Sequence, residues 1–272
     1  MTSTSPQPQA LQRMDTTPAL VACDIDGTLV RTGHPVNQPV RAAASRVRAA
    51  GHHLVLATGR SLVGALPVAV QLGLDDTWLV TSNGAITAHL VEGYYEITKQ
   101  HLVDAETAIR IALAEAPVVR IAAEIVGDGY RVSTPFPDHE LNGRQRPAGD
   151  LREFWTNPTP RLALRGHAAY QLVPSLRAAG LTAIATTLDW VDVTAPGISK
   201  ATALEEIRTH LGVEDHNTVA IGDSENDVEM LDWAACGIAM AHAPAFVIAA
   251  ADRTTGTIDD DGAASALLSL LA

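Results

Sequence analysis

Two acidic residues follow the first apolar run of the chain. Asp24 and Asp26 come directly after residues 19–23, and Gly27 beside them permits a sharp turn. Side chains two positions apart in an extended backbone face the same way, so both carboxylates can point at one substrate atom. Ionised carboxylates this close repel each other unless a cation is bound. A hard cation such as Mg²⁺, which prefers oxygen ligands, would satisfy both of them.

A second acidic cluster occupies residues 222–227, again directly after an apolar run, at residues 217–221. Asp223 and Asp227 stand four positions apart with Asn226 between them, and their carboxylates can complete the ligand set of a metal ion. Acidic residues at the start of a helix are also favoured by the helix dipole. That alternative does not explain why both acidic clusters follow an apolar run.

Two further segments suit an anionic ligand. Thr58, Gly59 and Arg60 follow the apolar run at residues 53–57, and a hydroxyl with backbone amides near a helix N-terminus is a phosphate-binding arrangement. Threonine is also a common capping residue. Lys200 opens a helical segment, where its charge is unfavourable for the dipole. Such a local violation is typical of functional residues, and a positive charge there could offset charge on a phosphoryl group.

Short apolar runs and helix-like stretches alternate between these clusters. The pattern predicts strands at residues 19–23, 53–57, 78–81, 217–221 and 237–240, and helices at residues 39–50, 62–72 and 199–211. The alternation is typical of an α/β fold, a Rossmann-like parallel sheet core with helices on both faces. Ligands of such sheets bind beyond the carboxyl ends of the strands. Each polar cluster follows a predicted strand, which indicates an active site at that edge.

The middle of the chain shows a different pattern. Hairpin signals lie around residues 92–93 and 127–129, with helix-like segments between them. Such a pattern predicts a separate α+β module inserted into the first domain. We expect a disordered tail at residues 1–18, a catalytic core at 19–84 and 191–272, and the inserted module at 85–190.

Composition excludes several function classes. The 272 residues carry a formal net charge of −12, which repels nucleic acid and anionic membrane surfaces, so we expect neither as a partner. No apolar run approaches the roughly 20 residues of a membrane span. Two cysteines, Cys23 and Cys236, are too few for a disulfide framework, and the histidines lack zinc-ligand spacing. We expect a soluble, cytoplasmic protein with a small-molecule ligand, and the sequence does not indicate its oligomeric state.

The polar clusters together carry a resemblance to a known family. The chain resembles the haloacid dehalogenase superfamily of phosphatases, and within it the Cof-type (subfamily IIB) group with a large α+β cap. The four motifs of that family have counterparts, in order, at residues 24–28, Thr58, Lys200 and 222–227. The inserted module falls between the second and third motifs, where that group carries its cap. The likeness is specific across the core and diffuse across the cap.

This resemblance implies a phosphatase that hydrolyses small phosphate monoesters through an aspartyl-phosphate, with a sugar phosphate or related metabolite as substrate. Phosphorylated cofactors stay open as substrates. The resemblance implies that Asp24 is the nucleophile, and that Asp26 is first the general acid and then the base. Thr58 and Lys200 would hold the phosphoryl oxygens, and Asn226 would orient the nucleophile or the phosphate.

The same resemblance implies a Mg²⁺ cofactor. Asp24, the backbone carbonyl of Asp26 and the carboxylate of Asp223 would bind the ion, and Asp227 would support it through water. One departure from the family concerns the stretch after the fourth motif, which commonly reads Met-Gly-Asn-Ala. Here His242 stands where the family has asparagine, which leaves that position's role open between function and a local hydrogen bond.

Other residues are candidates for the substrate side of the site. Gly59 and Arg60 follow the second motif directly, and Asn83 lies in a Ser-Asn-Gly segment that leads into the cap, where it could contact substrate, brace the connection or serve as a turn residue. A cap excludes water and reads the leaving group. Its weaker candidates are Arg144, Arg146, Arg161, Arg165 and His139.

Two other functions remain open from the sequence. Phosphomannomutases share this core and cap class, and a phosphomutase would need a dense basic cluster in the cap for a second phosphate. The arginines within residues 144–165 keep that alternative open. A non-catalytic metabolite-binding protein is the third reading, but such a protein has no chemical reason to keep both Asp24 and Asp26.

Overall fold

The computed structural model describes residues 17–31 and 33–271. Residues 1–16 of the expected tail therefore lie outside the described residues. The strands are β1 Leu20–Cys23, β2 His53–Ala57, β3 Asp76–Thr81, β4 Ile86–Val91, β5 Tyr94–Gln100, β6 Arg120–Ile125, β7 Gly129–Val132, β8 Arg144–Pro147, β9 Leu162–Arg165, β10 Thr182–Thr187, β11 Trp190–Thr194, β12 Thr218–Gly222, β13 Cys236–Ala239 and β14 Arg253–Thr254. The helices are α1 Gln38–Ala49, α2 Leu62–Gln71, α3 Ala105–Glu115, α4 Glu153–Thr156, α5 Val173–Ala178, α6 Lys200–Leu211, α7 Val228–Trp233, α8 Ala245–Ala250 and α9 Gly262–Ser269.

The larger sheet has eight strands in the order β14-β13-β12-β1-β2-β3-β4-β5. Its first six strands pair in parallel, and β4 and β5 add an antiparallel edge. Alternate residues of β1 pack into opposite layers, with Val21 and Cys23 on one face and Leu20 and Ala22 on the other. Burial on both faces explains why β1 reads as a continuous apolar run. The predicted α/β class with helices on both faces is confirmed.

A smaller sheet of six strands has the order β10-β11-β9-β6-β7-β8. One face packs against α3, α4 and α5 in a separate hydrophobic cluster. Its other face carries a smaller cluster around Tyr130 and Phe136. We call this sheet and its helices, residues 105–194, the cap unit.

The expected boundaries of the inserted module differ from the observed strand pairing. The hairpin of β4 and β5 pairs with β3 through backbone hydrogen bonds, so it extends the larger sheet and not the cap unit. At the other end, β11 pairs with β9 and β10, so a boundary at residue 190 would cut a strand of the smaller sheet. These positions correct the expected limits of 85 and 190, because pairing partners, not the local hairpin pattern, decide which sheet a strand joins.

The chain crosses between the two units at two neighbouring places. The incoming connection begins at His101, whose N–H donates to the carbonyl of Ala85 at 2.9 Å. The outgoing connection ends at Ser199, whose carbonyl lies so close to Gly84 that a Cβ there would overlap it. Both crossings therefore contact consecutive residues just after β3.

The helix that begins at Lys200 is capped on both ends. The Ser199 side chain accepts from the Thr202 N–H, the Thr202 hydroxyl accepts from the Ser199 N–H, and Gly212 ends the helix in a left-handed conformation. This capping fixes Lys200 in the first turn. None of the helices in the described ranges is both long and apolar enough to cross a membrane.

Candidate active site

The carboxyl ends of β1 and β12 bring the two acidic clusters together. The strands are parallel neighbours with Cys23 opposite Ile221, and the Asp24 N–H continues the ladder by donating to the Ile221 carbonyl at 2.9 Å. Residues directly after the two strands must therefore meet at one edge of the sheet. Asp24 and Asp223 are the acidic residues that do so.

Three carboxylates form a compact group at this edge. Asp24, Asp223 and Asp227 each offer an oxygen, and these oxygens lie within 4.8 Å of one another. Lys200 enters the group from α6 and donates to Asp24 Oδ1 at 2.7 Å and to Asp227 Oδ1 at 2.6 Å. Asp24, Lys200 and Asp227 are all buried. The fourth-motif and third-motif residues named from the sequence therefore converge on Asp24.

Local hydrogen bonds hold the acidic residues in place. Asp227 Oδ2 accepts from the N–H groups of Asp223 and Ser224, at 2.9 and 3.0 Å. The Thr28 hydroxyl donates to Asp223 Oδ1 at 3.3 Å. Gly27 has a φ of 81°, and a Cβ at this residue would overlap the Asp223 carboxylate. Glycine is thus required there both by the turn and by the close approach of the second acidic cluster.

Burial dominates the electrostatics of this group. It raises the pKa of Asp24 well above its usual range against the lowering effect of Lys200, and Asp227 and Asp223 raise it further. Burial and the charge of Asp227 raise the pKa of Asp223 to about 7. Burial acts to lower the pKa of Lys200, but Asp227 and Asp24 outweigh it and raise the pKa above its ordinary value. One lysine does not neutralise three carboxylates, so the group has room for a further positive charge.

The donor set fits a divalent cation. All three members offer carboxylate oxygens, the ligands that hard cations prefer. A cation would also remove the mutual repulsion that helps to raise the pKa of Asp24 and Asp223. The acidic group can therefore hold a divalent metal ion.

The carboxylate of Asp26 lies apart from that group and faces Arg60. Arg60 Nε and Nη2 donate to the two oxygens of Asp26, both at 2.6 Å, in a bidentate ion pair. The hydrogen bonds to Asp26 raise the pKa of Arg60. Thr58 is buried beside this pair, and its hydroxyl accepts from the Arg60 N–H at 3.1 Å. Arg60 was predicted to bind phosphate. In this structure it contacts Asp26, the candidate general acid, instead.

Asn83 and Asn226 meet across the site. Asn226 Nδ2 donates to Asn83 Oδ1 at 2.9 Å, and a Cβ on Gly59 would crowd both side chains. Asn83 is buried with a φ of 56°, directly after Ser82 with a φ of 53°. Two successive non-glycine residues in the left-handed region are strained, and such strain clusters at functional sites. Asn83 therefore joins the fourth-motif loop to the end of β3.

A buried polar network joins the cap unit to this edge. The Arg161 guanidinium donates to the Gly59 carbonyl and to Tyr130 Oη, and pairs with Glu124 and Asp192 at 3.3 Å each. From the larger sheet, the Ser82 hydroxyl donates to Glu124 Oε2 at 2.6 Å, and Asn83 Nδ2 donates to Asp192 Oδ2 at 3.2 Å. We call Arg161, Glu124, Asp192, Tyr130 and Ser82 the interface network.

Burial sets the ionisation of the interface network. It raises the pKa of Glu124 although Arg161 opposes it, and it raises the pKa of Tyr130 to about 12. Burial acts against the charge of Arg161, but Tyr130, Asp192 and Glu124 keep its pKa above the ordinary value. Glu124 Oε1 is buried without a hydrogen-bond partner among the described residues. The network therefore has one permanent cation facing two carboxylates.

Comparison of the chain with models of known protein families identifies its family. The model for haloacid dehalogenase-like hydrolases matches residues 21–173 and 166–267. The chain belongs to this family. Within it the chain is one of the Cof-type, subclass IIB, phosphatases and hence a phosphoric monoester hydrolase.

Individual relatives of this haloacid dehalogenase-like phosphatase span nearly its whole length. It is 29% identical to the 5-amino-6-(5-phospho-D-ribitylamino)uracil phosphatase YitU of Bacillus subtilis, over 92% of this chain and 97% of the relative. It is 30% identical to a phosphoglycolate phosphatase of Natronomonas pharaonis, over 92% and 96% of the two chains. Among solved structures, the subclass IIB sugar phosphatase BT4131 superposes with a TM-score of 0.78 at 26% identity, covering 92% of this chain and 98% of that one.

Most of the interface network was not predicted from the sequence. Arg161 was only a weaker cap candidate, and Glu124, Asp192 and Tyr130 were not predicted as site residues. A signal was present, because Glu124 and Asp192 each lie within a run of apolar residues in a strand. A charge in such a run is costly unless it is paired, so its presence predicts a buried partner.

The other three cap arginines singled out from the sequence lie against carboxylates. Arg144 and Arg146 both lie against Asp128, and Arg165 pairs with Glu140 at 2.5 Å. The basic cluster that a phosphomutase would need for a second phosphate is thus largely neutralised. His139 lines the site with a φ of 72°, a left-handed conformation that histidine adopts more often than most non-glycine residues.

His242 lies at the edge of the metal-binding group. Its Nδ1 accepts from the Ile258 N–H at 3.4 Å, and its Nε2 is 3.7 Å from Asp223 Oδ2. The contact at Nδ1 supports a local hydrogen-bonding role for His242. The acidic neighbour at Nε2 supports a functional role.

A cavity of about 1060 Å³ lies between the core and the cap unit. Asp24, Asp26, Thr58 and Arg60 line its floor, and side chains of the cap unit, among them Trp190, line its roof. A volume of this size accommodates a phosphate ester with a leaving group as large as a sugar or a small heterocycle.

Proposed function

We propose that the chain is a Mg²⁺-dependent phosphatase that hydrolyses a small phosphate monoester, a sugar phosphate or related metabolite, through an aspartyl-phosphate on Asp24. The observation that carries the proposal is the buried contact of Lys200 with both Asp24 and Asp227 beside Asp223. A lysine and a metal ion around one carboxylate suit the charge of a transferring phosphoryl group.

The first step transfers the phosphoryl group to the enzyme. Lys200 contacts Oδ1 of Asp24, so we assign the attack to Oδ2. Oδ2 forms a bond to phosphorus while the ester bond to the leaving oxygen breaks, and Asp26 gives its proton to that oxygen. Arg60 occupies both oxygens of Asp26 in this structure, so substrate binding must draw Arg60 away and Asp26 must take up a proton from solvent before it can act as the acid. The phosphate oxygens are strong alternative partners for a guanidinium.

The second step returns the enzyme to its starting state. Asp26 takes a proton from water, the water oxygen bonds to phosphorus, and the bond from phosphorus to Asp24 breaks. Inorganic phosphate leaves and the Asp24 carboxylate is restored. Splitting one difficult displacement into two is the advantage of covalent catalysis. Thr58 and Lys200 are the residues we assign to hold phosphoryl oxygens in both steps.

The metal ion is assigned to Asp24, the Asp26 backbone carbonyl and Asp223. Both oxygens of Asp227 already accept hydrogen bonds, which suits support of the ion through water. When bound, Mg²⁺ supplies positive charge that neutralises phosphoryl oxygens and favours an ionised nucleophile. Free thiols at Cys23 and Cys236 suit a cytoplasmic enzyme, the location we propose.

The substrate proposal takes support from relatives and from the cavity. One relative is named for a ribitylaminouracil phosphate and another structure for a sugar phosphate. A cavity of about 1060 Å³ exceeds what a two-carbon acid would fill. The paired state of Arg144, Arg146 and Arg165 gives the phosphomutase alternative no support.

A screen of phosphate esters with and without Mg²⁺ tests the proposal, run on the wild type and on Asp24→Asn. We expect hydrolysis of p-nitrophenyl phosphate and of sugar phosphates only with the metal, and a loss of at least about 1,000-fold in the variant. Asp75→Asn, at an exposed ion pair with Arg48, is the matched control and should retain full activity. Equal turnover by Asp24→Asn would reject the nucleophile assignment.

A further inference from the structure

The roof of the cavity determines what kind of leaving group it can accept. This argument rests on the proposed function, since it takes the phosphoryl group to lie at Asp24 on the floor. The rest of the ester must then extend toward the cap unit, past Glu140, Arg165, Asp189 and Trp190. The charges of these groups therefore act on the leaving group and not on the reacting phosphate.

Every arginine that lines the cavity already has a carboxylate partner. Arg60 pairs with Asp26 at 2.6 Å, as described above. Arg161 pairs with Asp192 at 3.3 Å and is buried behind the roof. Arg165 pairs with Glu140 at 2.5 Å. The described residues that line the cavity include no lysine.

Carboxylates outnumber cations on the leaving-group side. Glu140, Asp189 and Asp192 line the cavity there, against Arg161 and Arg165. A second anion on the substrate would meet this excess at short range, where like charges repel. Hydroxyl and amide groups instead can donate hydrogen bonds to the same oxygens.

We propose that this site selects phosphate esters whose leaving group is uncharged and rich in hydrogen-bond donors, and that it disfavours leaving groups with a carboxylate or a second phosphate. Glu140 determines this selectivity by neutralising Arg165, the half-buried arginine of the roof. The inferred class is a polyol, sugar or uncharged heterocyclic phosphate.

Glycerol 3-phosphate and 3-phosphoglycerate form the test pair, because they have the same carbon skeleton and differ in a hydroxymethyl group against a carboxylate. We expect the wild type to prefer glycerol 3-phosphate in kcat/KM by at least about tenfold. Glu140→Gln leaves Arg165 unneutralised and should reduce the preference at least threefold, and Arg165→Met should increase it. Glu153→Gln, whose partner Arg131 does not line the cavity, is the control and should leave the ratio unchanged.

The outcomes separate the two levels of the proposal. Hydrolysis of p-nitrophenyl phosphate with equal or better use of 3-phosphoglycerate would overturn the charge selectivity and leave the phosphatase assignment intact. An unchanged ratio in both Glu140→Gln and Arg165→Met would overturn the role of Glu140. Absence of p-nitrophenyl phosphate hydrolysis by the folded wild type with Mg²⁺ would overturn the proposed function and this inference with it.

Discussion

Arg161 of the cap unit donates a hydrogen bond to the backbone carbonyl of Gly59, the residue after Thr58. The guanidinium is buried and is held on its other sides by Glu124, Asp192 and Tyr130. A residue of the cap unit therefore fixes the turn that carries a proposed phosphate ligand. This contact makes the position of the cap unit part of the geometry of the active site.

Arg161→Lys tests that positioning role. Lysine keeps the charge but loses the planar fork that reaches several partners at once. We expect kcat on a sugar phosphate to fall between about tenfold and 100-fold, since small misplacements of binding groups have effects of this size. Arg146→Lys, at an exposed pair with Asp128, should leave kcat unchanged. A loss of stability in Arg161→Lys with wild-type kcat would show that the role is structural only.

Lys200→Met should destabilise the protein strongly when no metal is present. The change leaves the buried carboxylates of Asp24 and Asp227 without their cation, and breaking a buried pair in this way costs about 3–5 kcal/mol. Mg²⁺ should restore part of the loss, so its stabilising effect in thermal unfolding should be larger in the variant than in the wild type.

The control for Lys200→Met is Lys99→Met. Lys99 forms a partly exposed ion pair with Glu206. Its replacement should lower the free energy of unfolding by at most about 1 kcal/mol. Equal destabilisation in the two variants would contradict the central place of Lys200 in the acidic group.

Asp26→Asn should separate the two chemical steps. p-Nitrophenolate is a good leaving group that needs little help from an acid, so phosphoryl transfer to Asp24 should continue in the variant. Hydrolysis of the aspartyl-phosphate should slow because no base activates water. Stopped-flow measurement should show a burst of about one equivalent of p-nitrophenol followed by slow turnover. A burst absent in the variant, with wild-type steady turnover, would rule out Asp26 as the base.

Glu124→Gln tests the ionisation of the interface network. Burial raises the pKa of Glu124 above its ordinary 4.5, so the folded state binds a proton more tightly than the unfolded state. The free energy of unfolding of the wild type, compared with the variant, should therefore fall as pH rises from 4.5 through the raised pKa. Urea unfolding of both proteins across this range measures the difference. If the free energy of unfolding of the wild type rose relative to that of the variant with rising pH, the upward shift in the pKa of Glu124 would be contradicted.

Local patterns in the sequence were sufficient for the core of the fold. Uninterrupted apolar runs such as residues 19–23 predicted strands buried on both faces, and polar residues after them marked one edge of the sheet. The convergence of Asp24 with Asp223 followed because neighbouring parallel strands end together. Glycines after helices, including Gly212, correctly predicted their ends.

Contacts between distant segments could not be predicted in the same way. The hairpin at residues 86–100 was recognised, but nothing in its own residues specifies that β4 pairs with β3. The strand β8 and the short helix α4 lie in a stretch without clear periodicity. The bidentate pair of Asp26 with Arg60 joins positions 34 residues apart. Such pairings depend on the assembled sheets, which local spacing does not encode.

The two crossings between the core and the cap unit meet at Ala85 and Gly84. A body attached to another at two nearby points can turn about the line that joins them, but it cannot slide away. Ala85 and Gly84 therefore define a pivot axis at the end of β3. Arg161 contacts the carbonyl of Gly59 at the end of β2, away from these two crossings, so a rotation of the cap unit about this axis would break that hydrogen bond.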